Sequence, residues 1–125
     1  MNLLDSIPGD RIRGERFNII SSDILLAVNP EKIPPLERFN QLKIRSKQEI
    51  MDLIRDNLKD EYYILYNHPV DEKQNRLYDS DKDSLLEFID NRFNEERGGG
   101  IDIIISDKSY ESLVLGNHDG MLLEV

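Results

Sequence analysis

The residues best suited to chemistry in this chain are its two histidines. Each follows an asparagine where an apolar run ends, in Tyr66–Asn67–His68–Pro69 and Gly116–Asn117–His118–Asp119. Imidazole titrates near neutrality. Two of them facing one another across a sheet edge would supply the acid and the base of a small metal-independent hydrolase or nuclease. The same residues have a plainer use, because Asn, Asp, Gly and Pro form turns and a histidine among them is ordinarily solvated. A metal site would require His68, His118 and Asp119 to converge, and no supporting shell of residues points to one. The chain has no cysteine, which excludes disulfides and thiolate ligands. Gly98–Gly99–Gly100 follows a helical pattern and precedes a strand-like one. Phosphate loops require the reverse order, so these glycines read as a helix stop. No serine stands in a nucleophile elbow. The expectation is a protein that is not an enzyme and holds no metal or cofactor.

Charge offers a different kind of candidate. The net charge is −9, unevenly spread: residues 1–45 carry six acids and seven bases, and residues 46–125 carry nineteen acids and nine bases. Such a body repels nucleic-acid phosphates and anionic membrane surfaces, and it speeds encounter with a basic protein. Its four Phe and five Tyr have no basic stripe beside them, which also argues against a nucleic-acid face. The acids concentrate between Asp79 and Glu96. At about 100° per residue, Asp79, Asp83, Glu87 and Asp90 share an arc of roughly 80° on one helix. Like charges at i,i+4 cost a few tenths of a kcal/mol each, about 0.2–0.5. These four residues are the candidate partner-binding site, a docking face for a cationic protein. The plainer reading is a solvated acidic helix.

The elements that must position these residues follow from periodicity. Residues 1–16 mix Pro8, Gly9 and Gly14 with charge and read as an irregular arm. Phe17 to Val28 reads as two short strands around Ser21–Ser22–Asp23, ended by Asn29–Pro30. Pro34–Pro35 opens a short helix reaching Asn40. Ser46 to Lys59 is a helix with a Ser46/Glu49 capping box and an apolar stripe of Ile50, Leu53, Ile54 and Leu58. Tyr62 to Tyr66 is a strand, and Arg76–Leu77–Tyr78 a shorter one. Ser80 to Glu96 is a second amphipathic helix, capped by Ser80 or Asp79, with Leu85, Leu86, Ile89 and Phe93 inward. Ile101 to Val125 is a three-stranded antiparallel meander. The meander ends at Val125, so that strand or another lies at an uncovered sheet edge, open to a partner strand in an adaptor or regulatory subunit. Ile101, Ile103 and Ile105 alternate with Asp102 and Ile104, which calls for cover on both sheet faces.

The expected architecture is therefore one α+β domain spanning 1–125. Its sheet is mostly antiparallel, ends in the C-terminal meander and carries two amphipathic helices on one face. No stretch approaches the roughly 18 apolar residues of a membrane span, and no leader pattern opens the chain, so a cytoplasmic protein is expected.

The run IDIIISDKSYESLVLGNHDG, in a small acidic chain without cysteine, resembles bacterial toxin-immunity proteins, the SMI1/KNR4-like group and related immunity families of polymorphic and contact-dependent toxin systems. The resemblance covers Ile101 to Val125, with a looser match in helix order upstream. It implies an intracellular binding protein that neutralises a cognate toxin, often a nuclease, by covering its active site with an acidic surface.

Overall fold

The computed structural model describes residues 7–28, 43–68, 70–93, 102–117 and 122–124. They form seven strands: β1 (Asp10–Ile12), β2 (Lys43–Arg45), β3 (Glu61–Tyr66), β4 (Arg76–Asp81), β5 (Ile103–Asp107), β6 (Leu113–Gly116) and β7 (Leu122–Glu124). The α-helices among these residues are α1 (Gly14–Ala27), α2 (Lys47–Asp56) and α3 (Lys82–Arg92). The strands make one sheet in the order β1-β4-β3-β5-β6-β7-β2, antiparallel at every junction. This is the α+β class that the element order predicts, and β5, β6 and β7 pair consecutively as a meander. No helix among the described residues is long and apolar enough to cross a membrane.

Side-chain alternation along the strands divides the interior into two layers. Tyr62, Ile64, Tyr78, Ile103, Ile105, Val114 and Leu122 pack against Ile50 and Ile54 of α2 and Leu85, Phe88 and Ile89 of α3. Their neighbours Tyr63, Leu65, Leu77, Ile104 and Leu113 face the other way and meet Ile20 and Ile24 of α1. Ile104 thus has the cover its position calls for. Each fully buried Ile or Leu contributes about 1.5–3 kcal/mol of transfer free energy. Both layers run through β3, which pairs with β4 on one side and β5 on the other.

Several elements differ from the sequence reading. Phe17 to Val28 is one helix, not two strands, and Ser21 lies on its buried face. Ile19, Leu25 and Leu26 are exposed on the outside of α1, so apolar residues surround the helix and the amphipathic signal is lost. Arg13 makes no side-chain cap, so the start signal is missing as well. The N-terminal stretch is not an irregular arm throughout. Asp10–Ile12 pairs with Leu77–Asp79 at the sheet edge, and α1 starts at Gly14. Gly9 makes that edge possible: a Cβ there would strike the carbonyl of Asp79, and its φ of +100° disfavours a side chain.

The first expected helix has its capping box, with Ser46 Oγ accepting from Glu49 N at 3.1 Å and Glu49 Oε1 from Ser46 N at 3.2 Å. It ends at Asp56, however. Leu58 lies beyond it, 96% exposed, and Leu53 faces outward. The expected strand around Arg76 runs on to Asp81, so the second helix starts two residues late and ends at Arg92. The meander's last strand is not an edge, because β2 pairs with it. Pro34–Pro35 and Gly98–Gly99–Gly100 lie outside the described residues.

Candidate functional site

The outer face of α3 carries the acidic residues that remain together. Asp83, Glu87 and Asp90 follow at i, i+4 and i+7, all exposed, while Leu85, Phe88 and Ile89 are buried on the opposite side. The helix begins where Asp81 Oδ1 accepts from Ser84 N at 2.7 Å. That backbone hydrogen bond, reinforced by the Ser84 hydroxyl, holds the Asp81 carboxyl below its ordinary pKa. Asp83 lies in the first turn, where the helix dipole favours an anion. Asp90 is partly neutralised, with Lys47 Nζ 3.3 Å from its Oδ1 and donating to its carbonyl oxygen at 3.1 Å. Neither Asp83 nor Glu87 forms an ion pair with another described residue. Glu87, in the middle of the helix, has no capping or dipole role.

Asp79 does not belong to this face. It lies on β4, opposite Tyr63 of β3, and strand alternation places its side chain on the α1 side of the sheet. There Lys108 Nζ contacts Asp79 Oδ2 at 2.7 Å and Glu61 Oε2 at 3.1 Å, and lies 5.2 Å from the centre of the Tyr63 ring. Burial opposes the charged ammonium. The hydrogen bonds and attraction of the two carboxylates outweigh it and hold the Lys108 pKa above that of an ordinary lysine. Asp79 is a counter-ion to Lys108 within the fold, and helical spacing does not apply to it because β4 runs on to Asp81.

A groove of about 410 Å³ runs beside the acidic face, lined by Pro8, Ser84, Glu87, Phe88, Asn91 and Arg92. Pro8 comes from the segment ahead of β1, more than seventy residues away in sequence. Ile7 anchors that segment in the core shared with α2 and α3. Local periodicity carries no signal for such a pairing, so the groove could not be read from the sequence.

His68 is built into a turn. Its Nδ1 accepts from Asp71 N at 2.8 Å and Val70 N at 3.2 Å, and its own backbone N–H donates to Asn75 Oδ1 at 2.7 Å. Tyr66 meets its ring edge-on at 6.0 Å between centroids. An imidazole nitrogen holding two backbone N–H groups is not available there as a general base. His118 and Asp119 lie outside the described residues. Among the described residues, no group of three or more His, Asp or Glu side chains gathers as a metal ion requires.

A second polar cluster organises the β5–β6 turn. Asp107, 1% exposed, accepts from Glu111 N at 2.9 Å, Ser112 N at 3.3 Å and Ser109 Oγ at 3.0 Å. Tyr110 has a φ of +60°, unusual for a side-chain-bearing residue. Its ring stacks on Tyr63 at 6.3 Å, and its hydroxyl lies 3.5 Å from Asp23 on α1. Asp107 holds the turn together and Tyr110 ties it to Asp23, which makes the cluster a clasp between the turn and α1. The chain matches no protein-family model, no curated protein and no solved structure.

Proposed function

We propose that this chain is a non-catalytic binding protein of the toxin-immunity type, which docks a basic partner on the outer face of α3 and blocks it sterically. The observation that carries the reading is the pair Asp83 and Glu87. They stand one turn apart on an exposed helix face and form no ion pair with another described residue. In mechanism, these carboxylates and Asp90 take the place of the phosphates a basic nuclease would bind. Long-range attraction from a chain of net charge −9 raises the association rate. Apolar contacts then hold the complex.

The test uses the polypeptide encoded by the neighbouring reading frame as partner. Charge reversal at Asp83→Lys and Glu87→Lys together should slow association and weaken binding while the fold stays intact. Unchanged affinity would remove α3 from the interface. The catalytic alternative gains no support from His68, whose Nδ1 is engaged in its own turn. An edge-strand adaptor is also less favoured. The sheet's two edges, β1 and β2, are each three residues long, and β1 presents the exposed charges Asp10 and Arg11, a pattern that discourages strand addition there.

A further inference from the structure

Resting on the α3 reading above, we infer that the groove beside Glu87 is a socket for one arginine side chain of the partner. Three polar groups stand in a row along its helical wall: Ser84, Glu87 and Asn91. Residues three and four apart lie one above another, so a hydroxyl, a carboxylate and an amide carbonyl rise over about 10 Å of helix. All three present acceptor oxygens. A guanidinium, with five N–H donors in a planar fork, bridges two such acceptors at once, whereas an ammonium is a point donor. Pro8 and Phe88, the latter 5% exposed, also line the groove, so it offers apolar contact to a methylene stem. Its volume of about 410 Å³ suits a buried side chain with room to adjust. Arg92, also on the lining, is engaged with another group and stands at the end of the helix, one residue past Asn91.

Glu87 therefore has two roles in one place. It belongs to the acidic face that attracts the partner, and it is the charged wall of the cavity that selects one side chain. The face alone would accept lysine and arginine alike, and the groove distinguishes them.

The experiment titrates the isotope-labelled protein with N-acetyl-arginine methylamide, using the citrulline analogue, its uncharged isostere, as control. Lysine methylamide provides the second comparison. Amide shifts confined to Ser84, Glu87, Phe88 and Asn91 and saturating with the arginine probe are expected. The citrulline analogue should give none, and the lysine probe a weaker response. Glu87→Gln should lower the arginine probe's affinity about tenfold or more, the loss expected when a charged hydrogen-bond partner is removed. Asn91→Leu, which changes no charge, should lower it by a smaller factor. Both positions are exposed, and the dispersion of each variant's spectrum confirms that it is folded. Equal response to citrulline, shifts spread over acidic residues such as Asp10 and Asp52, or no shifts would each overturn the socket. The same variants separate this inference from the one beneath it. If Asp83→Lys/Glu87→Lys weakens the partner and Asn91→Leu does not, the docking face stands and the socket falls. If the arginine probe binds but charge reversal leaves the partner's affinity unchanged, the socket stands as a site and the docking face falls.

Discussion

Asp107 and Tyr62 sit opposite one another across β5 and β3 and show how differently a buried polar atom can be treated. The Asp107 carboxylate is fully used, accepting from two backbone N–H groups and a hydroxyl. Replacing it with alanine removes the acceptor shared by three part-buried donors and opens the β5–β6 turn. Asp107→Ala should cost about 3 kcal/mol, read as a lower midpoint in urea at unchanged slope. A loss under about 0.5 kcal/mol would show that the turn holds without it. The Tyr62 hydroxyl, by contrast, has no hydrogen-bond partner among the described residues. Burial, then the negative charges of Asp107 and Asp60, push its pKa up to about 12. The folded state therefore keeps this proton at a pH where the unfolded chain, titrating at 10.0, has begun to lose it. The stabilisation is fully present below pH 10 and is lost as the pH rises through about 12. Tyr62→Phe should leave stability at pH 7 unchanged or raise it by up to about 1 kcal/mol, and should flatten the alkaline decline. Denaturation of the two proteins at pH 7 and pH 11 checks both effects. A variant that is clearly less stable at pH 7 would mean that the hydroxyl has a partner.

Among the elements, α1 is the most lightly held of the three described helices. It lacks a side-chain N-cap, has no basic residue in its last turn and buries the Ser21 hydroxyl, which has no hydrogen-bond partner among the described residues. It leaves Ile19 and Leu26 more than half exposed. Its side-chain polar tie to another described element is the Tyr110–Asp23 contact at 3.5 Å. Amide exchange in α1 should thus outpace exchange in α2, whose capping box is complete, and in central β3 by well over an order of magnitude. Equal protection in α1 and β3 would contradict this ranking. The weaknesses that make α1 light also hid it in the sequence, because an uncapped helix that is apolar all round has neither a start signal nor a periodic face. Where signals were local they read correctly. Ser46 and Glu49 mark the start of α2, and β-branched alternation marks β5 with cover on both sides. Reading failed where pairing across the sheet decided the outcome. Six residues of β4 in register with β3 carried Asp79 and Ser80 into the strand and moved the α3 cap to Asp81. Two of the four expected site residues, Asp83 and Glu87, stand on α3 without an ion pair to another described residue, Asp90 is shared with Lys47, and Asp79 belongs to the opposite face.

For the whole molecule, the division of labour runs across the sheet. One face is closed by α1, which the β5–β6 clasp reaches through Tyr110, and carries the ion pairs of Lys108 with Asp79 and Glu61. The other carries α2 and α3, and the outer surface of α3 holds the groove and the carboxylates Asp83 and Glu87, which form no ion pair with another described residue. Charge reversal at two exposed α3 positions therefore separates recognition from folding, since neither side chain supports the core. The most direct measurement is the association rate of the neighbouring-frame polypeptide with the wild-type chain and with the Asp83→Lys/Glu87→Lys variant, across a series of salt concentrations. Wild-type association should be fast at low salt and fall steeply as screening shortens the reach of the field, to about 8 Å at 0.15 M. The variant should associate at least about tenfold more slowly at low salt and show a flatter salt dependence. Matching rates and slopes for the two proteins would contradict the account, placing the binding surface away from α3.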